Sequence, residues 1–174
     1  MNFNLSEAIE VLEKTPRTLE SFLLGLSEGW LHGNEGEGTW NTMQIIDHLI
    51  DGETTNWIPR LQMILEDGES KSFPPFDRFA HLQQKPEQTL VEKIKEFKRL
   101  REDNITKLKV LMDSENKLEQ TGIHAAFGVV KARELISTWV VHDLTHITQI
   151  VRVMAKRYRL DVGPWEEYLG VLKK

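Results

Sequence analysis

The chain contains no cysteine in 174 residues. That absence excludes disulfides, thiolate metal sites, iron–sulfur clusters and a thiol nucleophile on the protein itself. Any thiol chemistry would have to draw its sulfur from solution. An excess of positive charge is also lacking. Lys and Arg number 22 against 27 Asp and Glu, a net charge of −5, and no basic block or stripe offsets it. A surface that tracks phosphates needs the opposite balance, so nucleic acid is not an expected partner. No apolar run approaches the roughly 20 residues of a membrane span. The segment from Met1 to Glu7 lacks the basic and apolar regions of a signal peptide. No membrane partner is expected, and the default location is the cytoplasm. What remains is a 20.2 kDa chain with 40% hydrophobic residues, read as one soluble domain over residues 1–174. A chain of this size can bury a core that needs neither disulfide nor metal to hold it.

Sustained period-two alternation is missing as well, whereas apolar residues recur at helical spacing almost everywhere, which predicts an all-α chain. Leu5, Ile9 and Leu12 give a first helical stretch opened by Asn4. Thr15-Pro16 then reads as the N-cap and first position of a second stretch, with Leu19, Phe22, Leu23 and Leu26 inward. Gly29, Gly33, Gly36 and Gly38 end that stretch in a mobile loop; without a following Gly-Lys-Ser/Thr it is not a phosphate cradle. Asn41 and Gln44 form a capping box for one long helix to about Leu65, carrying Ile45, Leu49, Trp57, Leu61 and Ile64 inward. The proline- and aromatic-rich run Phe73 to Phe79 is too stiff for a helix and too apolar for a solvated linker, and is expected to lie over the bundle. Thr89 and Glu92 cap a further helix. A loop containing Gly122 and Gly128 leads to a last long helix from about Lys131 to Arg157, closed off by Gly163-Pro164. Long helices in one compact domain point to a four-helix bundle with short extra helices.

His142 and His146 stand four residues apart, a step of about 40° around a helix, so both imidazoles project from one face. Leu135, Trp139, Ile150 and Val153 share that face and set the pair against the core. Such a pair is a two-point chelate in geometry, yet when isolated it is more often two hydrogen-bonded core histidines. No Glu follows His142, which excludes the His-Glu-x-x-His of zinc proteases. His48, close to the Ile45 face of its helix, is a third histidine that a bundle can bring opposite the pair. Three neutral imidazoles would leave coordination positions open for water or substrate, as in catalytic metal sites.

Three segments carry a family resemblance: Trp40-Asn41-Thr42-Met43-Gln44-Ile45-Ile46-Asp47-His48-Leu49-Ile50-Asp51-Gly52-Glu53, then Trp139-Val140-Val141-His142-Asp143-Leu144-Thr145-His146-Ile147-Thr148-Gln149-Ile150, and the tail Gly163-Pro164-Trp165-Glu166-Glu167-Tyr168-Leu169. Together they make the chain resemble the DinB-like, YfiT-like superfamily of metal-binding four-helix bundles. The resemblance implies an up-down-down-up bundle, often paired into homodimers. It also implies a divalent ion such as zinc or nickel, held by His48, His142 and His146. Members that do chemistry include transferases and isomerases using low-molecular-weight thiols, and others are regarded as metal-dependent hydrolases. A non-catalytic metal-binding stress-response protein is the competing class; DNA binding is suggested only by the family's name and is opposed by the charge.

Asp51, about 60° round the helix from His48, is the candidate proton acceptor of the site, with a solvated or capping acid as the equal alternative. Glu53 lies about 140° from His48 and is expected in a salt bridge, with Arg60 as the candidate partner. Asp143 and Gln149 are expected to hydrogen-bond beside the histidine pair. Arg101, on an apolar stripe with Ile94, Phe97 and Leu108, would bind an anionic substrate or, more commonly, sit in a structural ion pair. His32 is expected to face solvent, whereas His81 and His124 can line the mouth of the cavity. Trp30, Leu31, Trp165, Tyr168 and Leu169 are apolar residues in loop or terminal regions, an indirect sign of a pairing surface.

Overall fold

The computed structural model describes residues 2–83 and 88–173; Met1 and Lys174, the two ends of the 1–174 domain, lie outside that range. Its helices are α1 (Leu5–Leu23), α2 (Glu28–Leu31), α3 (Thr42–Thr55), α4 (Trp57–Glu66), α5 (Leu90–Leu111), α6 (Glu115–Leu118) and α7 (Ala132–Lys156), with a hairpin of β1 (Thr121–His124) and β2 (Gly128–Lys131) before α7. The caps form as their residues demand. Asn41 Oδ1 accepts from the Gln44 N–H at 2.9 Å while Gln44 Oε1 accepts from the Asn41 N–H at 3.0 Å, and Glu92 Oε2 accepts from the Thr89 N–H at 2.8 Å.

α1 and α3 each pack on both α5 and α7, which makes α1, α3, α5 and α7 the bundle. Two apolar clusters fix their directions. One holds Leu19 and Leu23, Ile45 to Ile50, Ile94 and Phe97, and Ile150 and Val153; the other holds Ala8 and Leu12, Trp57 to Ile64, Ile105 and Leu108, and Ile136 and Trp139. α3 continued by α4, and α5, pass from the first cluster to the second, whereas α1 and α7 pass from the second to the first. The order is therefore up-down-down-up. No helix among the described residues is long and apolar enough to cross a membrane.

Four local expectations change. First, Pro16 does not start a new helix: α1 runs unbroken through it. A proline at position 16 cannot donate to the carbonyl of Leu12, and here Arg101 Nη1 takes that carbonyl at 2.8 Å. Second, the helix expected from Asn41 to Leu65 is broken at Asn56, because the ring of Pro59 obstructs the carbonyl of Thr55, where α3 ends, and is tolerated only in the first turn of α4. Third, the loop around Gly122 and Gly128 is an antiparallel hairpin pairing Thr121 with Lys131 and His124 with Gly128, too short for its alternation to register in sequence. Gly122 is required there, since a Cβ would come within 2.9 Å of Ile64 and 3.1 Å of Phe73. Fourth, the glycine-rich loop expected to be mobile is tied to α7: Arg152 Nε and Nη2 both donate to the Glu35 carboxylate, each at 2.6 Å.

Candidate metal centre

The histidines come from the two helices that the sequence assigned them, His48 from α3 and His142 and His146 from α7. His48 and His146 are buried and His142 is half-buried. His142 Nε2 lies 3.1 Å from His48 Nε2 and 3.2 Å from His146 Nε2, and one ring nitrogen from each residue falls within 4.8 Å of the other two. His146 Nδ1 is 2.8 Å from Gln149 Oε1; the amide oxygen can only accept, so this contact places the His146 proton on Nδ1 and leaves Nε2 as a lone pair facing the other rings.

Burial lowers the proton affinity of all three rings. It pushes His48 and His142 down to about 3, with the neighbouring histidines adding to the effect, and lowers His146 as well, although there Gln149 and Asp143 work in the opposite direction. Neutral imidazoles that turn lone pairs toward one point are the donor set a divalent transition ion takes. The Nδ1 atoms of His48 and His142 have no hydrogen-bond partner among the described residues, so no described group fixes the tautomer of these two rings, and the Nε2 atom of each can offer its lone pair. The three residues fit a metal ion.

An aromatic wall surrounds the rings. Trp40 stands 4.9 Å from His48, Phe76 5.7 Å from His48, and Trp57 5.0 Å from His142, all between ring centroids. Phe76 belongs to the proline-rich run, which does lie over the bundle. Gly52 allows Trp57 to approach, since a Cβ there would meet its Nε1 at 3.2 Å. Two hollows adjoin the cluster. A 430 Å³ depression along α7 is lined by Thr138, Val141, His142 and Thr145, and a 930 Å³ cavity between the first turns of α3 and α5 is lined by His81, Gln44, Asp47 and Lys93.

The other candidates divide. Asp51 is half-buried on α3, one turn beyond His48, and is not among the groups whose atoms meet. His81 is buried with its ring 5.2 Å from that of His48. His124 lies in β1 instead, against Phe127 and Phe73, and His32 is exposed and paired with Glu28 at 2.7 Å. Glu53 does form a salt bridge, but with Arg101 and not Arg60, which donates to the Pro74 carbonyl at 3.1 Å. Arg101 is accordingly not an anion site. It lies in a buried cluster with Glu53 and Asp143, the structural ion pair that is the commoner role of an arginine on an apolar stripe. Asn104 and the indole of Trp139 complete that cluster, donating to Glu53 at 2.9 Å and 3.0 Å. The signal for Asn104 was present: it is a polar residue on the apolar stripe of α5, one turn after Arg101. Burial raises the Glu53 carboxyl above the ordinary range against the pull of Arg101. Burial would also lower Arg101, but Asp143 and Glu53 outweigh it and hold the guanidinium above its ordinary value.

No curated protein sequence matches the chain. Among solved structures it is similar to YfiT from Bacillus subtilis, described as a probable metal-dependent hydrolase with an unusual four-helix bundle topology. The two share 20% identity, the match covers 87% of this chain and 86% of that one, and the TM-score is 0.73. At that identity the likeness establishes the fold. The sequence pattern of the DinB superfamily matches residues 11–150, a span that includes all three histidines and the buried charge cluster, and the chain belongs to the DinB superfamily.

Proposed function

We propose that this protein is a metal-dependent enzyme in which His48, His142 and His146 hold one divalent ion, zinc or nickel, and that its reaction transfers a low-molecular-weight thiol to an electrophilic small molecule. The observation that carries the metal reading is the convergence of three neutral ring nitrogens from two helices. Bound there, such an ion would act as a Lewis acid and lower the pKa of a coordinated thiol or water. The protein's own part is to hold the rings neutral by burial, to aim His146 through Gln149, and to exclude bulk water with Trp40, Trp57 and Phe76. Asp51, half-buried one turn beyond His48, is assigned the proton released when the nucleophile ionises, taken up on its carboxylate. A chain without cysteine is suited to this chemistry only if the sulfur arrives as a second substrate, and the reading assumes a cytoplasmic thiol pool.

Hydrolysis is the second reading, favoured by the similarity to YfiT. The two are separated by incubating metal-loaded protein with an electrophile, with and without common bacterial thiols. Transfer requires both metal and thiol, disappears in His48→Ala and falls in Asp51→Asn. Turnover of an ester or amide without thiol, and no conjugation with it, installs the hydrolase; neither activity leaves the non-catalytic metal-binding reading. The enzyme is further proposed to act as a homodimer. Exposed Trp165, Tyr168 and Leu160 on the C-terminal segment support this, whereas Leu31 belongs to the core and Trp30 packs on Tyr158. Light scattering at micromolar concentration should give twice the chain mass; a monomer rejects it.

A further inference from the structure

Arg101 is 1% exposed, and its guanidinium has five N–H donors, each with an acceptor. Nε and one hydrogen of Nη2 go to Glu53 Oε1 at 3.1 and 2.7 Å, the second hydrogen of Nη2 goes to Asp143 Oδ1 at 3.0 Å, and Nη1 goes to Asp143 Oδ2 at 2.6 Å and to the Leu12 carbonyl at 2.8 Å. The fifth acceptor exists because of Pro16. In a helix the carbonyl of residue 12 belongs to the N–H of residue 16, and a proline there has none to give. α1 contributes no histidine, yet its proline completes the arginine.

The two carboxylates are on the two helices that carry the histidines. Glu53 follows His48 on α3, and Asp143 directly follows His142 on α7. Rotating α7 about its axis enough to swing His142 and His146 away from His48 would also pull Asp143 off a bidentate pair, and the same holds for α3 and Glu53. A second path runs from Glu53 to the indole N–H of Trp139, whose ring stacks at 5.7 Å on Trp57, which in turn abuts His142 at 5.0 Å.

We propose that Arg101 is a positioning residue of the histidine site: it locks α3 and α7 in the one rotational register in which His48, His142 and His146 meet, and Pro16 serves that lock by freeing the Leu12 carbonyl. The inference rests on the metal reading given above. Supporting partners outside the ligand shell are typically worth about 10- to 100-fold in metal affinity, so the lock has a readout separate from fold stability.

The test measures cobalt(II) affinity by competition with a chromophoric chelator, together with the visible absorption of the bound cobalt, for the wild-type chain, Arg101→Lys and Pro16→Ala, all checked for full helicity at the assay temperature. Lysine keeps the charge but offers three donors on one nitrogen where arginine offers five in a planar fork, so it cannot reproduce the five contacts. Arg101→Lys should bind at least about tenfold more weakly with a changed spectrum. Pro16→Ala should weaken binding by a smaller factor while raising the thermal midpoint, since it repairs the helix but offers the Leu12 carbonyl a competing N–H. A merely structural role would move affinity and midpoint in the same direction. If Arg101→Lys binds cobalt with wild-type affinity and spectrum, the inference is overturned and the metal reading stands. Should Arg101→Lys not fold, Pro16→Ala decides alone, and wild-type affinity in it overturns the inference. Wild-type protein that binds no cobalt overturns the metal reading and the inference with it.

Discussion

Two buried polar assemblies share the middle of this bundle and solve the same problem in opposite ways. Around Arg101 every donor has an acceptor, and the carboxylates of Glu53 and Asp143 are used on both oxygens. Around His48, His142 and His146 the Nε2 atoms face one another, and the Nδ1 atoms of His48 and His142 have no hydrogen-bond partner among the described residues. Ring nitrogens that face only one another, with no carboxylate or carbonyl between them, would be completed by a divalent ion that accepts their lone pairs. The saturated assembly is the proposed frame, and the three histidines are the candidate site. Both lie at the level where the two apolar clusters meet, so the polar groups split the core without interrupting either half.

The contrast is broken most severely by removing the centre of the frame. Arg101→Met leaves two buried carboxylates facing one another and should cost about 3–5 kcal/mol in denaturant unfolding, if the chain folds at all; a loss below about 1 kcal/mol would mean the cluster is not a frame. The site responds to acid instead. Folded His48 and His142 resist protonation down to about 3, whereas the unfolded rings accept protons near 6.5. Unfolding therefore takes up protons below pH 6.5, and the stability of metal-free protein should fall as pH drops from there toward 3. The double variant His48→Ala, His142→Ala should show a shallower dependence over that window, and an unchanged slope would contradict the assignment of buried neutral rings. Replacing one ring alone, His142→Ala, should cost the metal-free fold only about 1–2 kcal/mol of packing. The smallest change sharpens the comparison from the other side. Trp139→Phe deletes the indole N–H to Glu53 together with part of a buried ring and should cost at least about 1 kcal/mol, readable as a shift in the urea midpoint at constant slope.

How far these assemblies can be read from sequence depends on how local their causes are. The capping pairs Asn41/Gln44 and Thr89/Glu92 act within one turn, and both were legible. So were the facing histidines, because a spacing of four residues already fixes a common helix face. The prolines mark the limit. Pro16 and Pro59 present the same local signal, yet α1 continues through the first and α3 stops before the second. The difference is a side chain 85 positions beyond Pro16 that accepts the role of the missing N–H, and no local pattern contains it. Glu53 is the parallel case in the site. Its angle from His48 was correctly read as pointing away, and only the packed bundle shows that it points into a buried cluster with Arg101.

The converging histidines are proposed as a metal site. Elemental analysis of protein purified without an affinity tag, after exhaustive dialysis, tests it most directly. About one divalent ion per chain is expected in the wild type, close to none in the His142→Ala, His146→Ala double variant, and a helical spectrum preserved in both. Full metal content in the double variant, with the fold intact, would contradict it.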